Sequence, residues 1–336
     1  MAQLVKIQDY VSRYQIDLAR YPTQFVRLKK NQWERVKRQW ESGEEISEWQ
    51  HVDNDSENEP FEEKVRFSLI KKIFAGRQKE DIKEDIEQLE VTNDFVNEED
   101  IIPEEETTLT FEPKIVYAPQ SIHELKRMFI DQFFHFQMKW ASSTLREKSY
   151  VDPRFMRDSL LRTLLQNLPD NYLVFYYPIL QVRKAPIELD VVLMSPTECI
   201  CITVLEADNQ AVYVGSSERF WVKKVGTKDF KILNPMINLS RMESVLTQLF
   251  KQDNIDMPIR KVVLTRNGYF DYPGSSFSIQ FVDHRNYGEW MQQLKKVSSP
   301  MKHMQIRAAQ TILNNVQTTS FNRDIWQQTS QPSTED

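Results

Sequence analysis

The sequence predicts an α/β (α+β) fold, a mixed sheet flanked by helices, preceded by a mainly helical N-terminal region. Three observations predict it. Between residues 152 and 297, apolar residues at helical spacing (Leu161, Leu164, Leu165, Leu168) alternate with apolar runs of strand length such as Val191-Val192-Leu193-Met194. Residues 3–40 place Leu4, Ile7, Val11, Tyr14 and Leu18, then Phe25, Leu28, Trp33, Val36 and Trp40, at helical intervals on either side of Pro22. Two acid-rich stretches then separate this region from the rest of the chain.

The N-terminal elements predict one or two amphipathic helices with a basic outer face, because residues 1–40 hold nine Lys/Arg against three Asp/Glu. Residues 41–63 hold ten acids and no Lys or Arg, too little apolar content to fold alone, and predict a flexible loop. A helix is expected over 61–77, and a second acidic stretch over 80–106 carries thirteen acids against one lysine. Ser121-Ile122-His123-Glu124 has the form of a capping box and opens an aromatic helix with Leu125, Phe129, Phe133, Phe136 and Trp140. The expected division is 1–110, a helical region with acidic segments; 111–150, a connecting strand and the aromatic helix; 151–300, the α/β domain; and 301–336, a closing helix and a disordered tail.

In the α/β domain Asp152-Pro153 reads as a helix start, with an N-cap acceptor followed by proline in the first turn. Strands are expected over 172–182, 187–194, 199–206 and 211–214, with a short extended piece at 220–222. Asn234-Pro235 opens a helix carrying Leu239, Met242, Leu246 and Leu249. Strands over 261–265 and 277–282 and helices over 287–296 and 301–315 complete the domain.

Composition removes several functions. Seven glycines, with neither G-x-G-x-x-G nor G-x-x-x-x-G-K, argue against a nucleotide-binding loop. Five scattered histidines show no metal-ligand spacing, and no G-x-S-x-G elbow accompanies a serine. Cys199 and Cys201 share one face of a strand and read as buried thiols. No run reaches the roughly 18–20 apolar residues a membrane span requires, so a cytoplasmic protein is expected. The net charge of −6 belongs to the first half, since residues 151–336 hold 21 basic and 19 acidic side chains. That balance leaves nucleic acid binding open to the second half.

The chemistry-bearing feature is a set of carboxylates. Asp158 is expected on the first helix, Asp190 and Glu206 on successive strands, and Asp208 on the same face as Glu206. Like charges at a sheet end call for a compensating cation, proton or basic side chain, and a divalent metal such as magnesium suits hard oxygen ligands.

Residues 153 to about 297 resemble the nuclease-related domain, a branch of the PD-(D/E)XK nuclease superfamily. Asp158 stands ten residues before Leu168-Pro169, where the family has a glutamate; Glu188-Leu189-Asp190 is similar to its Ile-Asp; Glu206-Ala207-Asp208 stands at its Glu-x-Lys; Trp221 and Asn234-Pro235-Met236-Ile237-Asn238 are similar to its downstream tryptophan and Asn-Pro-x-x-Gln. The resemblance implies a restriction-endonuclease-like mixed sheet and a phosphodiester-hydrolysing site. It further implies Mg or Mn held by Asp190 and Glu206, with Asp158 and Asp208 completing the catalytic set. Asp208 replaces the lysine, reversing a charge that phosphodiester hydrolysis needs positive, so the resemblance implies an impaired site acting in nucleic acid or protein interaction. Two alternatives stand beside it. One is an active metal-dependent nuclease with a relocated lysine, for which Lys223 and Lys224 are the nearest candidates, with Trp221, Asn234 and Asn238 as further binding residues. The other is a protein-interaction adaptor working through its N-terminal helices.

Overall fold

The computed structural model describes residues 1–42, 111, 113, 119–182, 185–207, 210–273 and 278–322. The expectations for 43–110, for Asp208 and for the tail beyond 322 fall outside the described residues.

The chain begins with a strand, β1 (Gln3–Ile7), and not the expected helix. All five of its residues are buried, so both faces pack and the alternation that marks a strand is absent. Lys6 is part of that strand, and its ammonium donates to Tyr10 O (2.5 Å), Gln15 Oε1 (3.1 Å) and Thr318 Oγ1 (3.0 Å). A single 3-10 turn (Arg13–Gln15), capped by Ser12, leads to α1 (Tyr21–Ser42). The second expected helix is therefore present and the first is a strand. α1 buries Phe25 and Val36 against α2 (Ile122–Trp140), where Phe25, Phe111, Phe129, Phe133, Phe136 and Trp140 form an aromatic cluster with centroids 4.9–5.9 Å apart. Ser121 caps α2 as expected, accepting from Glu124 N, but Glu124 accepts from Gln120 N, one residue earlier than a capping box requires.

Next come β2 (Glu147–Lys148), α3 (Pro153–Arg157) and α4 (Ser159–Asn167). Asp152 caps α3, yet the helix ends after five residues, and Asp158 begins a new one. The expected strand over 172–182 is broken into β3 (Leu173–Tyr176) and β4 (Ile179–Leu180) at Tyr177, whose φ of 50° lies in the left-handed region. β5 (Ile187–Glu188) and β6 (Val191–Met194) are likewise separated at Leu189-Asp190, and β7 (Cys199–Val204) ends before Glu206. β8 (Val212–Val214) is followed by a hairpin longer than the expected short piece. β9 (Phe220–Val225) pairs with β10 (Lys228–Leu233) through a two-residue turn in which Gly226 takes a φ of 58°. α5 (Pro235–Gln252), β11 (Ile259–Leu264), β13 (Ile279–Val282), α6 (Tyr287–Lys295) and α7 (His303–Asn314) match the expected elements closely, while the short strands β12 (Tyr269–Asp271) and β14 (Phe321–Asn322) were not expected.

These strands build a six-stranded mixed sheet in the order β1-β3-β6-β7-β11-β13, a four-stranded sheet in the order β10-β9-β8-β12, and the pairs β14-β2 and β4-β5. The fold is thus the expected α/β mixed sheet with flanking helices. β7 runs parallel to β11 with Cys199 opposite Ile259 and Val204 opposite Leu264, and antiparallel to β6 with Ile202 opposite Val191. The main core gathers Leu161, Leu164 and Leu165 of α4 with sheet residues Val174, Val191, Leu193, Ile200, Ile202, Val262 and Leu264 and with Trp290 of α6. Cys199 and Cys201 are free and buried in β7.

Burial pulls the Lys6 ammonium down to about 7, with Asp9 opposing the shift. The folded pKa is below that of an exposed lysine, so between the two values the unfolded chain binds more protons and stability rises with pH. Equilibrium denaturation across pH 7.5–9.5 should therefore show an upward slope of up to about 1.4 kcal/mol per pH unit from this group that Lys6→Met abolishes. Equal slopes in both proteins would contradict it.

Candidate functional site

Asp158, Asp190 and Glu206 lie at one end of the main sheet, around Tyr177. Tyr177's phenol is pushed up to about 12, first by burial and then by the negative charges of Asp190, Asp158, Glu206 and Glu188. Its left-handed backbone lets the chain turn between β3 and β4 beside those carboxylates. Non-glycine residues rarely take that conformation outside special sites.

Each carboxylate already has partners of its own. Asp158 is the N-cap of α4, and its Oδ1 accepts from Leu160 N (2.9 Å) and Leu161 N (3.0 Å). Its Oδ2 accepts from Tyr176 Oη at 2.6 Å, which with burial raises the Tyr176 pKa. Asp158 was expected within a single helix; it stands at the break between two, because an Asx cap needs an extended backbone and here φ is −68° and ψ 110°.

Asp190 lies just before β6, one step beyond the register that puts Val191 opposite Ile202, and so opposite Thr203. Its Oδ2 accepts from Asn238 Nδ2 at 2.6 Å. Burial raises its pKa, while the Thr203 and Asn238 hydrogen bonds and the charge of Arg241 pull the other way. Arg241, one turn along α5, donates to Asn238 Oδ1 (2.8 Å) and to Glu188 O (3.0 Å), which fixes the amide's orientation toward Asp190. The Asn-Pro-x-x-Asn segment thus does two jobs. Asn234 is buried and caps α5, accepting from Met236 N (3.0 Å) and donating to Glu218 O (2.8 Å), and Asn238 holds Asp190.

Glu206 meets a residue that the sequence alone did not point to. Arg266 follows β11, and Glu206 follows β7 by the same number of residues, so the parallel register brings the two side by side. Arg266 Nη2 donates to Glu206 Oε2 (2.7 Å) and Nε donates to Oε1, a two-point contact, and Nη2 also donates to Ser159 Oγ (2.9 Å) at the start of α4. Asn267 ties the loops together by donating to Ala207 O. Glu206 raises the Arg266 pKa, and burial acts against it. The signal that could have found Arg266 was positional: a cation two residues past a strand paired in parallel with the Glu206 strand.

Lys223 and Lys224 lie on β9 of the second sheet, and neither forms an ion pair with Asp190 or Glu206. Trp221 is 1 % exposed, donates to Ser216 O (2.9 Å) and stacks on Tyr272 (centroids 5.7 Å), so its ring has no face left for a base. As they stand the carboxylates fit a divalent cation poorly. Glu206 spends both oxygens on a guanidinium, Asp158 spends both on hydrogen bonds, and Asp190 spends one on Asn238. Among the described residues no three His, Cys, Asp or Glu side chains converge as metal ligands. Nor, among them, is any helix long and apolar enough to cross a membrane.

Residues 156–265 match the family described as "Nuclease-related domain". A segment of 42 residues is 50 % identical to an RNA 2',3'-cyclic phosphodiesterase of Geobacillus stearothermophilus, covering 12 % of this chain and 13 % of that protein. The chain thus spans about an eighth of that relative's length. No solved structure matches.

The geometry assigns Asp158 a structural share in the site. Asp158→Ala should cost roughly 2 kcal/mol in equilibrium denaturation, by loss of the cap and of the Tyr176 bond. Asp158→Asn, which keeps an oxygen for the two helix N–H groups, should recover most of it. A neutral Asp158→Ala would remove this assignment.

Proposed function

We propose that the nuclease-related domain at residues 156–265 is catalytically impaired and works by binding nucleic acid. One observation carries the first half of this reading: the guanidinium of Arg266 takes both oxygens of Glu206. In phosphodiester hydrolysis a carboxylate at this place contributes by holding a cation that stabilises the charge developing on phosphorus. A carboxylate already paired at both oxygens with a guanidinium has its charge matched there, and a second cation must compete with the arginine for it. Asp208, at the position where the family carries lysine, adds negative charge where the reaction calls for positive charge.

Basic residues on the second sheet support the binding half. The β9–β10 hairpin and the two residues before it carry Arg219, Lys223, Lys224, Lys228 and Lys231 against Glu218 and Asp229, and Phe220 and Phe230 are about half exposed. Cationic side chains beside exposed rings suit a phosphate backbone with unstacked bases. Binding of this kind releases counterions and weakens as salt rises.

Incubation with single- and double-stranded DNA and RNA in Mg²⁺ or Mn²⁺ should leave the substrates intact. Cleavage that Asp190→Ala abolishes would overturn the reading in favour of an active nuclease. In the same buffers, retention of labelled oligonucleotide should fall with added salt. The Lys223→Ala/Lys224→Ala double variant should flatten the log–log salt dependence by about 0.7–0.9 per lysine. Retention that ignores both salt and the double variant would leave nucleic acid without support as the partner.

A further inference from the structure

A domain that does not hydrolyse phosphodiesters leaves Glu206 free to take another partner, and the position of Arg266 supplies one. We propose that Arg266 is the resident cation of the carboxylate site, standing where a divalent metal would otherwise bind Glu206, so that the native site takes no metal while this arginine is in place.

The placement is built rather than incidental. Arg266 and Glu206 each lie two residues beyond the end of the β7–β11 register, the central parallel pairing of the sheet, so the backbone sets their separation. The guanidinium is held from two sides, by the Glu206 carboxylate and by Ser159 Oγ on α4, and Asn267 closes the loops on which both residues ride. The Arg266 side chain is 20 % exposed and that of Glu206 31 %, so the pair is partly shielded from water and less screened than a surface pair. A planar guanidinium matching a carboxylate edge-on at two points is the strongest form of such a contact. Asp158 adds negative charge to the environment of Arg266, and the buried Tyr287 hydroxyl, which has no hydrogen-bond partner, lies within its electrostatic reach. A metal approaching Glu206 must displace a cation already bound at both oxygens. It can recruit Asp158 only by breaking the cap of α4 at Oδ1 or the Tyr176 hydrogen bond at Oδ2.

This inference rests on the site described above and is independent of nucleic acid binding. Mn²⁺ alone is the probe, followed on the full chain by the electron paramagnetic resonance signal of free Mn²⁺ and by thermal unfolding. The native protein should show no saturable site that Glu206→Gln removes, and no Mn²⁺-dependent change in Tm. Arg266→Met should gain a Mn²⁺-dependent rise in Tm, on the order of 2–4 °C for each kcal/mol of binding, and adding Glu206→Gln should remove it. Arg266→Lys, which leaves a cation beside Glu206, should stay unresponsive. Saturable, Glu206-dependent Mn²⁺ binding by the native protein overturns the proposal, as does an Arg266→Met protein that folds and gains no response. If Arg266→Met does not fold, the native and Glu206→Gln titrations still decide the question. Failure here with oligonucleotide retention intact removes the resident cation and the support it lends to impairment but leaves nucleic acid binding standing, whereas Asp190-dependent cleavage removes the impaired-nuclease reading itself.

Discussion

The parallel pairing of β7 with β11 is the constraint on which the rest of the domain depends. Six consecutive residue pairs, Cys199 with Ile259 through Val204 with Leu264, run through the middle of the six-stranded sheet. Ile200 and Ile202 face the main core beside Val262 and Leu264, and Cys199 and Cys201 fill the other face. A strand buried on both faces cannot slip by one residue without turning all of these side chains over. The same rigidity is inherited two residues further on, where the chains leave the sheet as Glu206 and Arg266. A pair of long side chains would ordinarily lose much of its contact energy to side-chain entropy. Here the backbone has fixed both starting points before the side chains meet.

The site is therefore best described by how it disposes of negative charge. Three carboxylates, with Glu188 nearby, surround one phenol, and each has been given donors of a different kind. Asp158 faces the positive end of a helix and the Tyr176 hydroxyl, Asp190 faces the neutral donors of Asn238 and Thr203, and Glu206 faces a full positive charge. These partners also tie the layers together. α4 is joined to β3 through Asp158, α5 to β6 through Asp190, and β11 to β7 and α4 through Arg266. A cluster that in an open metal site would point inward to a common ion is here turned outward into the scaffold.

Much of this was legible in the sequence, and the illegible parts share a cause. The runs Val191–Met194 and Cys199–Val204 and the Asn-Pro start of α5 are local signals; they put Asn238 on the right helix and Asp190 and Glu206 beside the right strands, each just outside the strand it was assigned to. β1 was read as helix because Leu4 and Ile7 stand three apart and every residue of the strand is buried, so no alternation distinguished the two. The break at Asp158 carried its own mark, an Asp-Ser ahead of a leucine run, but Asp152-Pro153 six residues earlier gave the same signal and one helix was drawn through both. Trp221 was legible as important and not as buried, since its neighbours Phe270, Tyr272 and Phe281 come from about fifty to sixty residues further along the chain. Arg266 was invisible for the plainest reason. Its role exists only through the register between two strands, which no local pattern contains.

The difference between Asp190 and Glu206 follows from those partners. Burial raises the Asp190 pKa, and its amide and hydroxyl donors, with the charge of Arg241, act against that shift. Glu206 instead meets a guanidinium at contact distance. Removing the charge of Asp190 would leave its amide and hydroxyl neighbours still able to bond to a protonated carboxyl. Removing either member of the Glu206–Arg266 pair would instead strand a partly shielded charge, which is the costlier event. The two carboxylates are thus partnered in opposite ways, Asp190 by an amide and a hydroxyl and Glu206 by one charged side chain.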